Sequence, residues 1–303
     1  MDWHVYNSAV IIGVLIGFLT RLRLLEIDYR QYPTYPHGYL SHLALGMIAS
    51  ALGAVAVPAL LKKDYTAVTF LALAAQQFRD VRNMERETLA KLDEMELVPR
   101  GASYIEGIAK VFESRNYLVI FSAFMTSLSV VLTKTWWVGA VVGGVLILGA
   151  GLLMSGQVIK DIANVYEGKL TFEGPNLYVD DIYLMNIGLE DNQKRILQHG
   201  IGLIIEPNSP AAVVTISNIG QRQAILHDVS AILGVYRDTG EPALVPIAKR
   251  DLNDGRLGLV LLPQEKNVGR AIQVVNFVPV LESAVRRPSQ FSVRDTEGKR
   301  GQA

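Results

Sequence analysis

Residues 116–159 read NYLVIFSAFMTSLSVVLTKTWWVGAVVGGVLILGAGLLMSGQVI, 44 positions in which Lys134 is the only charge. Crossing a hydrocarbon core about 30 Å thick takes about 20 helical residues at about 1.5 Å each. The stretch therefore predicts two membrane-crossing helices, 116–133 and 135–159, with a turn at Lys134. Working outward, further runs without Asp, Glu, Lys or Arg cover 3–20, 31–61 and 65–78. The last holds 14 residues and reaches only about 21 Å as a helix. It reads as a short span that thins the bilayer, with a re-entrant segment as the other option. The expected architecture is an α-helical transmembrane bundle of about five spans over residues 1–158.

Basic residues in short loops orient such a bundle. Residues 1–7 carry none, the loop 21–38 carries Arg21, Arg23 and Arg30, and the turn near 62 carries Lys62 and Lys63. The loop 79–115 carries seven, and the last turn has Lys134 alone. Five spans place both arginine-rich loops on one side, so the expected orientation is N-terminus outside and C-terminal domain cytoplasmic. Four spans would set the two basic loops against each other. The first run has no basic segment before it and no small-residue cleavage site, so a retained helix is expected rather than a signal peptide.

Within the runs, Gly13 and Gly17, then Gly139 and Gly143, are spaced four apart, and Gly46, Ser50 and Ala54 repeat a small residue at the same interval. Such stripes let helix backbones approach closely, either inside one bundle or in a homo-oligomer. Trp136 and Trp137 follow Lys134, where amphipathic rings favour an interface. No Asp, Glu, Lys or Arg is expected deep in a span, which argues against an ion-coupled transporter. His42 is expected near a helix end, at the interface.

Composition narrows the remaining functions. The 303 residues carry 29 basic and 29 acidic side chains, so no broad attraction to nucleic acid is expected. The absence of cysteine excludes disulfides, thiolate catalysis and cysteine-ligated metal centres. No metal-ligand spacing, Walker loop, nucleophile elbow or dinucleotide fingerprint is present, so no cofactor and no catalytic residue is expected. His199 and His227 lie 28 positions apart, and the acid pairs Asp180–Asp181 and Glu190–Asp191 read as solvated.

Residues 79–97, RDVRNMERETLAKLDEMEL, form an amphipathic helix with Val81, Met84, Thr88, Leu92 and Met95 on its apolar side. Arg79, Asp80, Arg82, Arg86, Glu87 and Lys91 would face water or a docking partner. Pro99 and Gly101 break this helix. Ser103 and Glu106, three apart, read as a capping box in which each side chain satisfies the other's backbone N–H. The helix so begun continues through Ile105, Ile108 and Phe112 towards residue 116.

The string Tyr104-Ile105-Glu106-Gly107-Ile108-Ala109 resembles, letter for letter, the signature of the YIEGIA family of membrane proteins from endospore-forming bacteria. AVAVPALL (54–61), FLALAAQQFRDVRNMER (70–86) and KVFESRNYLV (110–119) are similar to that family as well. The resemblance covers the membrane half and continues less sharply beyond it. It implies expression during sporulation, a place in the developing spore's envelope and membrane, and a small accessory capping subunit as partner. It supplies no reaction and no active site.

After a connector at 159–199, residues 200–286 predict a soluble α+β domain, and 287–303 a disordered tail. IGLIIEP (201–207), AAVVTIS (211–217), ALVPIAK (243–249), LGLVLLP (257–263) and IQVVNFVPVL (272–281) read as strands. A helix over 220–236 and a short one over 264–269 complete an order that resembles a ferredoxin-like sandwich. The functional expectation is a non-enzymatic membrane scaffold of spore assembly, contacting membrane lipid and protein partners. The alternative is a channel or transporter for small solutes, gated by the soluble domain.

Overall fold

The computed structural model describes residues 3–28, 36–152, 156–236 and 244–285. Two compact units divide the chain: 1–88 with 108–155, and 89–107 with 156–303. The loop expected over 79–115 is thus split, its middle half, 89–107, belonging to the second unit.

The first unit is helical: α1 (Trp3–Asp28), α2 (Pro36–Leu61), α3 (Tyr65–Arg79), most of α4 (Val81–Asp93), α5 (Ala102–Thr133) from Ile108 onward, and α6 (Trp136–Leu152). Three stretches, Trp3–Leu25, Gly38–Leu61 and Ala102–Thr133, are long and apolar enough to cross a membrane. The apolar stretch of α6, Trp136–Gly151, is shorter, and the 15 residues of α3 reach about 22 Å. Helix length therefore supports three of the five expected spans outright.

Small residues set the packing of this unit. A Cβ at Gly13 would lie 2.9 Å from both the Ala123 carbonyl oxygen and Ala54 Cβ, and one at Gly17 would lie 2.8 Å from Ser50 Oγ. Ser127 Oγ donates to the Ala54 carbonyl over 2.9 Å, fastening α5 to α2. A Cβ at Gly143 would come within 2.6 Å of Ile16, and one at Gly139 would overlap Val130. All four glycines, and Gly46 below, meet neighbours inside the unit.

The second unit is α/β. After α7 (Ile159–Ile162) come β1 (Ala163–Gly168), β2 (Leu170–Glu173), β3 (Asn176–Val179), β4 (Ile182–Asn186), α8 (Glu190–His199) and β5 (Ile201–Pro207). Then follow α9 (Pro210–Ser217), α10 (Ile219–Leu233), β6 (Ile247–Arg250), β7 (Leu257–Leu261) and α11 (Val268–Phe277). One sheet has the order β1-β5-β7-β6 and the other β2-β3-β4, and every pairing is antiparallel.

The sheets share a core in which Leu177, Val179, Ile182 and Leu184 meet Ile204 and Val260. β5 is buried from Ile201 to Ile205, which explains its continuous apolar run. On the face towards the small sheet, Gly258 alternates with Val260; a Cβ there would sit 3.2 Å from Ile182.

Several expectations are corrected. The connector at 159–199 holds four strands and two helices. AAVVTIS is α9, because Ser209 caps the Ala212 N–H at 3.2 Å and Pro210 occupies the first turn, the usual start signal of a helix. Residues 272–277 of the expected last strand belong to α11, which is capped by Asn267 on the Arg270 N–H at 2.9 Å, with Ala271 and Val275 buried one turn apart. A split βαβ of the ferredoxin-like kind has a different strand and helix order. The expected tail, 287–303, lies outside the described residues.

Candidate functional site

The family-like hexapeptide opens α5, and its surroundings in the second unit are built around Asp93. One oxygen of that carboxylate accepts from the Arg100 backbone N–H at 2.6 Å and the other from the Gly101 N–H at 3.0 Å. Arg100 closes the loop with Nη1 3.5 Å from Asp93 and 3.9 Å from Glu96. Gly101 then turns the chain at φ +84°, a left-handed conformation natural to glycine. A Cβ there would overlap the side-chain amide of Gln223 on α10.

That amide is spoken for: Gln223 Oε1 accepts from the Tyr104 backbone N–H over 3.0 Å. Two further approaches are as close. A Cβ at Gly107 would come within 2.5 Å of Ser283 Oγ, and one at Gly220 within 2.9 Å of the Ser103 carbonyl oxygen. Neighbouring Gln221, fully buried, donates to the Pro279 carbonyl at 3.1 Å and accepts from the Leu281 N–H at 2.7 Å. His227 Nδ1 donates to the Val98 carbonyl over 2.8 Å, which fixes the proton on that nitrogen. Burial lowers the His227 pKa, against the effect of this bond, so the ring is neutral at pH 7.

Of the motif, Tyr104, Ile105, Gly107, Ile108 and Ala109 are buried, and Glu106 is partly exposed and engaged in contacts. Because α5 starts at Ala102, Ser103 lies within the first turn rather than at the cap position. The loop leading into α5 is satisfied by Asp93, a residue the sequence reading had assigned only to a solvated helix. Gln221, Gln223 and Asp93 were missed for one reason: each bonds to backbone far away in sequence, and no local spacing announces it.

Beside this junction, α10 and α11 enclose a cavity of about 370 Å³. Its walls are apolar apart from Gln273 and the Asp228 carboxyl. Burial pushes the Asp228 pKa up to about 7, with Arg100 pulling the other way.

The charged helix α4 turns a different face inward than expected. Val81, Leu89 and Asp93 are buried, while Met84 and Met95 are exposed. The inner face thus follows 81, 85, 89 and 93, and the stripe through 84, 88, 92 and 95 is turned outward. Asp80, Arg86, Glu87 and Lys91 are exposed, and Arg82 Nη1 reaches Glu113 at 3.5 Å. The Arg79 side chain lies outside the described residues.

Within the helical unit the expectation of charge-free spans fails. α1 runs on through residue 28, and Arg21 is fully buried with its stem against Gly46. Arg21 Nη2 lies 3.3 Å from His42 Nδ1; a guanidinium only donates, so this nitrogen accepts and the ring proton sits on Nε2. Nε2 faces Glu85 Oε1 at 4.0 Å, and the guanidinium lies 5.1 Å from the Phe112 ring centroid. His42, in the second turn of α2, is buried among these side chains. Arg115 and Asn116 on α5 are buried as well.

The acid pairs are structural. Asp181 bonds Arg256 at 2.6 Å, and Asp254 grips the same guanidinium. Glu190 and Asp191 open α8, where negative charge suits the helix dipole. Among the described residues no group of three or more His, Asp or Glu is placed to hold a metal ion.

Comparison with known proteins places this arrangement. The chain is 55% identical over 287 residues to a Bacillus subtilis (strain 168) protein described as "Uncharacterized protein YphB", covering 94% of this chain and 96% of that one. No solved structure matches. The family described as "YIEGIA protein" matches residues 9–291, so both units fall within it, and the chain belongs to the YIEGIA family.

Proposed function

We propose that this protein is an integral membrane scaffold of the sporulating cell, anchored by α1, α2, α5 and α6, that recruits assembly partners through α4 and the second unit. The observation that carries this reading is how the motif is used. Its buried residues are committed to packing and to backbone bonds, while α4 presents Arg86, Glu87 and Lys91 to solvent, with Asp80 exposed just before it. That division suits a fixed platform with a charged docking face. The sporulation part of the reading rests on what the family resemblance implies, and the chain belongs to that family. The proposal keeps a cytoplasmic second unit, α3 as a short fifth span, and a small capping subunit as partner.

The test is affinity purification of the tagged protein from sporulating-cell membranes, with the outer charges of α4 intact or replaced together (Arg86, Glu87 and Lys91 to Ala). Stoichiometric recovery of a small soluble subunit, lost in the triple variant, is the expected result. A lone homo-oligomer in both preparations would overturn the reading.

A second reading, solute transport, gains from one observation: Arg21 and His42 are buried in the helical unit, and ionisable groups among spans commonly mark transport pathways. Selective, protein-dependent flux from vesicles, abolished by Arg21→Met, would move this reading to first place.

A further inference from the structure

The cavity between α10 and α11 has a composition that neither the fold nor the motif requires. Ala231, Ile232, Val274 and Phe277 form apolar walls, Gln273 stands at one side, and the Asp228 carboxyl is the only ionisable group lining it. No hydrogen bond reaches that carboxylate among the described residues. Leaving a charged group partly buried and unbonded costs stability, about 1–3 kcal/mol or more. Ile232 and Phe277 are both more than half exposed, so the cavity opens to solvent between two large apolar side chains.

We propose that this cavity is a binding site for a small organic cation, an ammonium group on an apolar stem, with the charge on Asp228 and the stem between Ile232, Val274 and Phe277.

Three observations point to a cation and to a small one. Asp93, Glu96 and Asp228 together face a single guanidinium, that of Arg100, which the first two already hold at 3.5 and 3.9 Å. The third, Asp228, lines the cavity without a close cationic partner. The Phe277 ring carries the Lys160 ammonium 4.4 Å from its centroid, so this aromatic already serves as a cation–π partner. Seven residues line the cavity, whereas a stable protein interface uses about 20–30 a side. A volume of about 370 Å³ instead falls within the range of small-molecule sites, about 300–1,000 Å³. The groups that face Asp228 from neighbouring elements are Arg100 and Tyr104. The raised pKa of Asp228 is the mark of a carboxylate kept in apolar surroundings without a partner. This site stands independently of the scaffold reading.

The test uses the full-length protein in nanodiscs. The natural sequence has no cysteine, so Arg270→Cys, three residues before Gln273 on α11, takes a single environment-sensitive fluorophore. Phenethylammonium, phenethyl alcohol and phenylacetate share one skeleton and differ in charge. At pH 8 the ammonium is expected to bind at least tenfold more tightly than the alcohol, and the carboxylate more weakly than both. In Asp228→Asn the advantage of the ammonium disappears while the alcohol still binds, which shows the cavity intact. Ile232→Trp, at an exposed rim position, fills the cavity and removes binding of both. Lys160→Ala leaves the ammonium's advantage in place. Equal affinities for the three probes, an advantage that survives Asp228→Asn, or no saturable ammonium binding would each overturn the proposal.

Discussion

The backbone N–H of Tyr104 donates to Gln223 Oε1 over 3.0 Å, joining the first residue of the family motif to a helix 119 positions later. The motif as far as Gly107 is therefore part of the second unit. Replacing Gln223 by Ala strands a helix-terminal N–H and opens the space over Gly101, for a loss of about 1–2 kcal/mol. Gln223→Glu keeps the acceptor and should lose less. Thermal unfolding of the two variants in the same detergent separates them, and equal losses would deny the bond its role.

Gly101→Ala is expected to do more damage than a surface glycine change. The residue would be strained at φ +84° and would drive its Cβ into the Gln223 amide. Strain of this kind costs about 1–3 kcal/mol. Pairing it with Gln223→Ala relieves the collision but not the backbone strain, so the double variant should be less unstable than the sum of the singles.

Asp228 makes the second unit's stability depend on pH. Its carboxyl rises from 3.8 to about 7 on folding, so the folded state holds the proton more tightly. The contribution is complete below about pH 4 and is lost as pH rises through about 7. His227 acts in the opposite sense, since its pKa is lowered on folding. Asp228→Asn removes one term and leaves the other. The variant should melt higher than the parent at pH 8, by about 1–3 kcal/mol, and close to it at pH 5. A uniform offset at both would contradict this.

Arg21 tests the buried polar contact of the helical unit. Cutting it to Ala leaves His42 and Glu85 facing a void, and breaking a buried charged contact costs about 3–5 kcal/mol. Arg21→Met fills the channel over Gly46 and should recover part of that loss. Detergent-resistant yield and melting temperature report the order, and Met no better than Ala would show that the stem's packing is immaterial.

The helices of the first unit were legible because apolar runs of 18 residues or more have one physical explanation. Their ends were not. Arg21 sits just past a charge-free run, but Leu24 and Leu25 continue the buried face and carry the arginine inside with them. In the second unit β5 and β7 were legible from continuous apolar runs bounded by turns. α9 and α11 were read as strands because AAVVTIS and IQVVNF are rich in β-branched residues, a preference that packing overrides. The decisive signals were the caps, Ser209 before Pro210 and Asn267 before Val268. Of the site, the hexapeptide stood out as a string, while its partners Asp93, Gln221, Gln223 and Asp228 are brought to it only by the fold.

α5 has 32 residues and is about 48 Å long, against a hydrocarbon core of about 30 Å. About ten residues of it must lie outside the oil at any ordinary tilt. Glu106, Lys110, Glu113 and Arg115 decide which ten, since all precede the charge-free run that begins at Asn116. In a bilayer the motif would thus lie at the aqueous end of α5. On the five-span proposal, longer or shorter lipid chains would be felt by α3 and α6, which have no length to spare, and would leave the seating of Tyr104 and Gly107 unchanged.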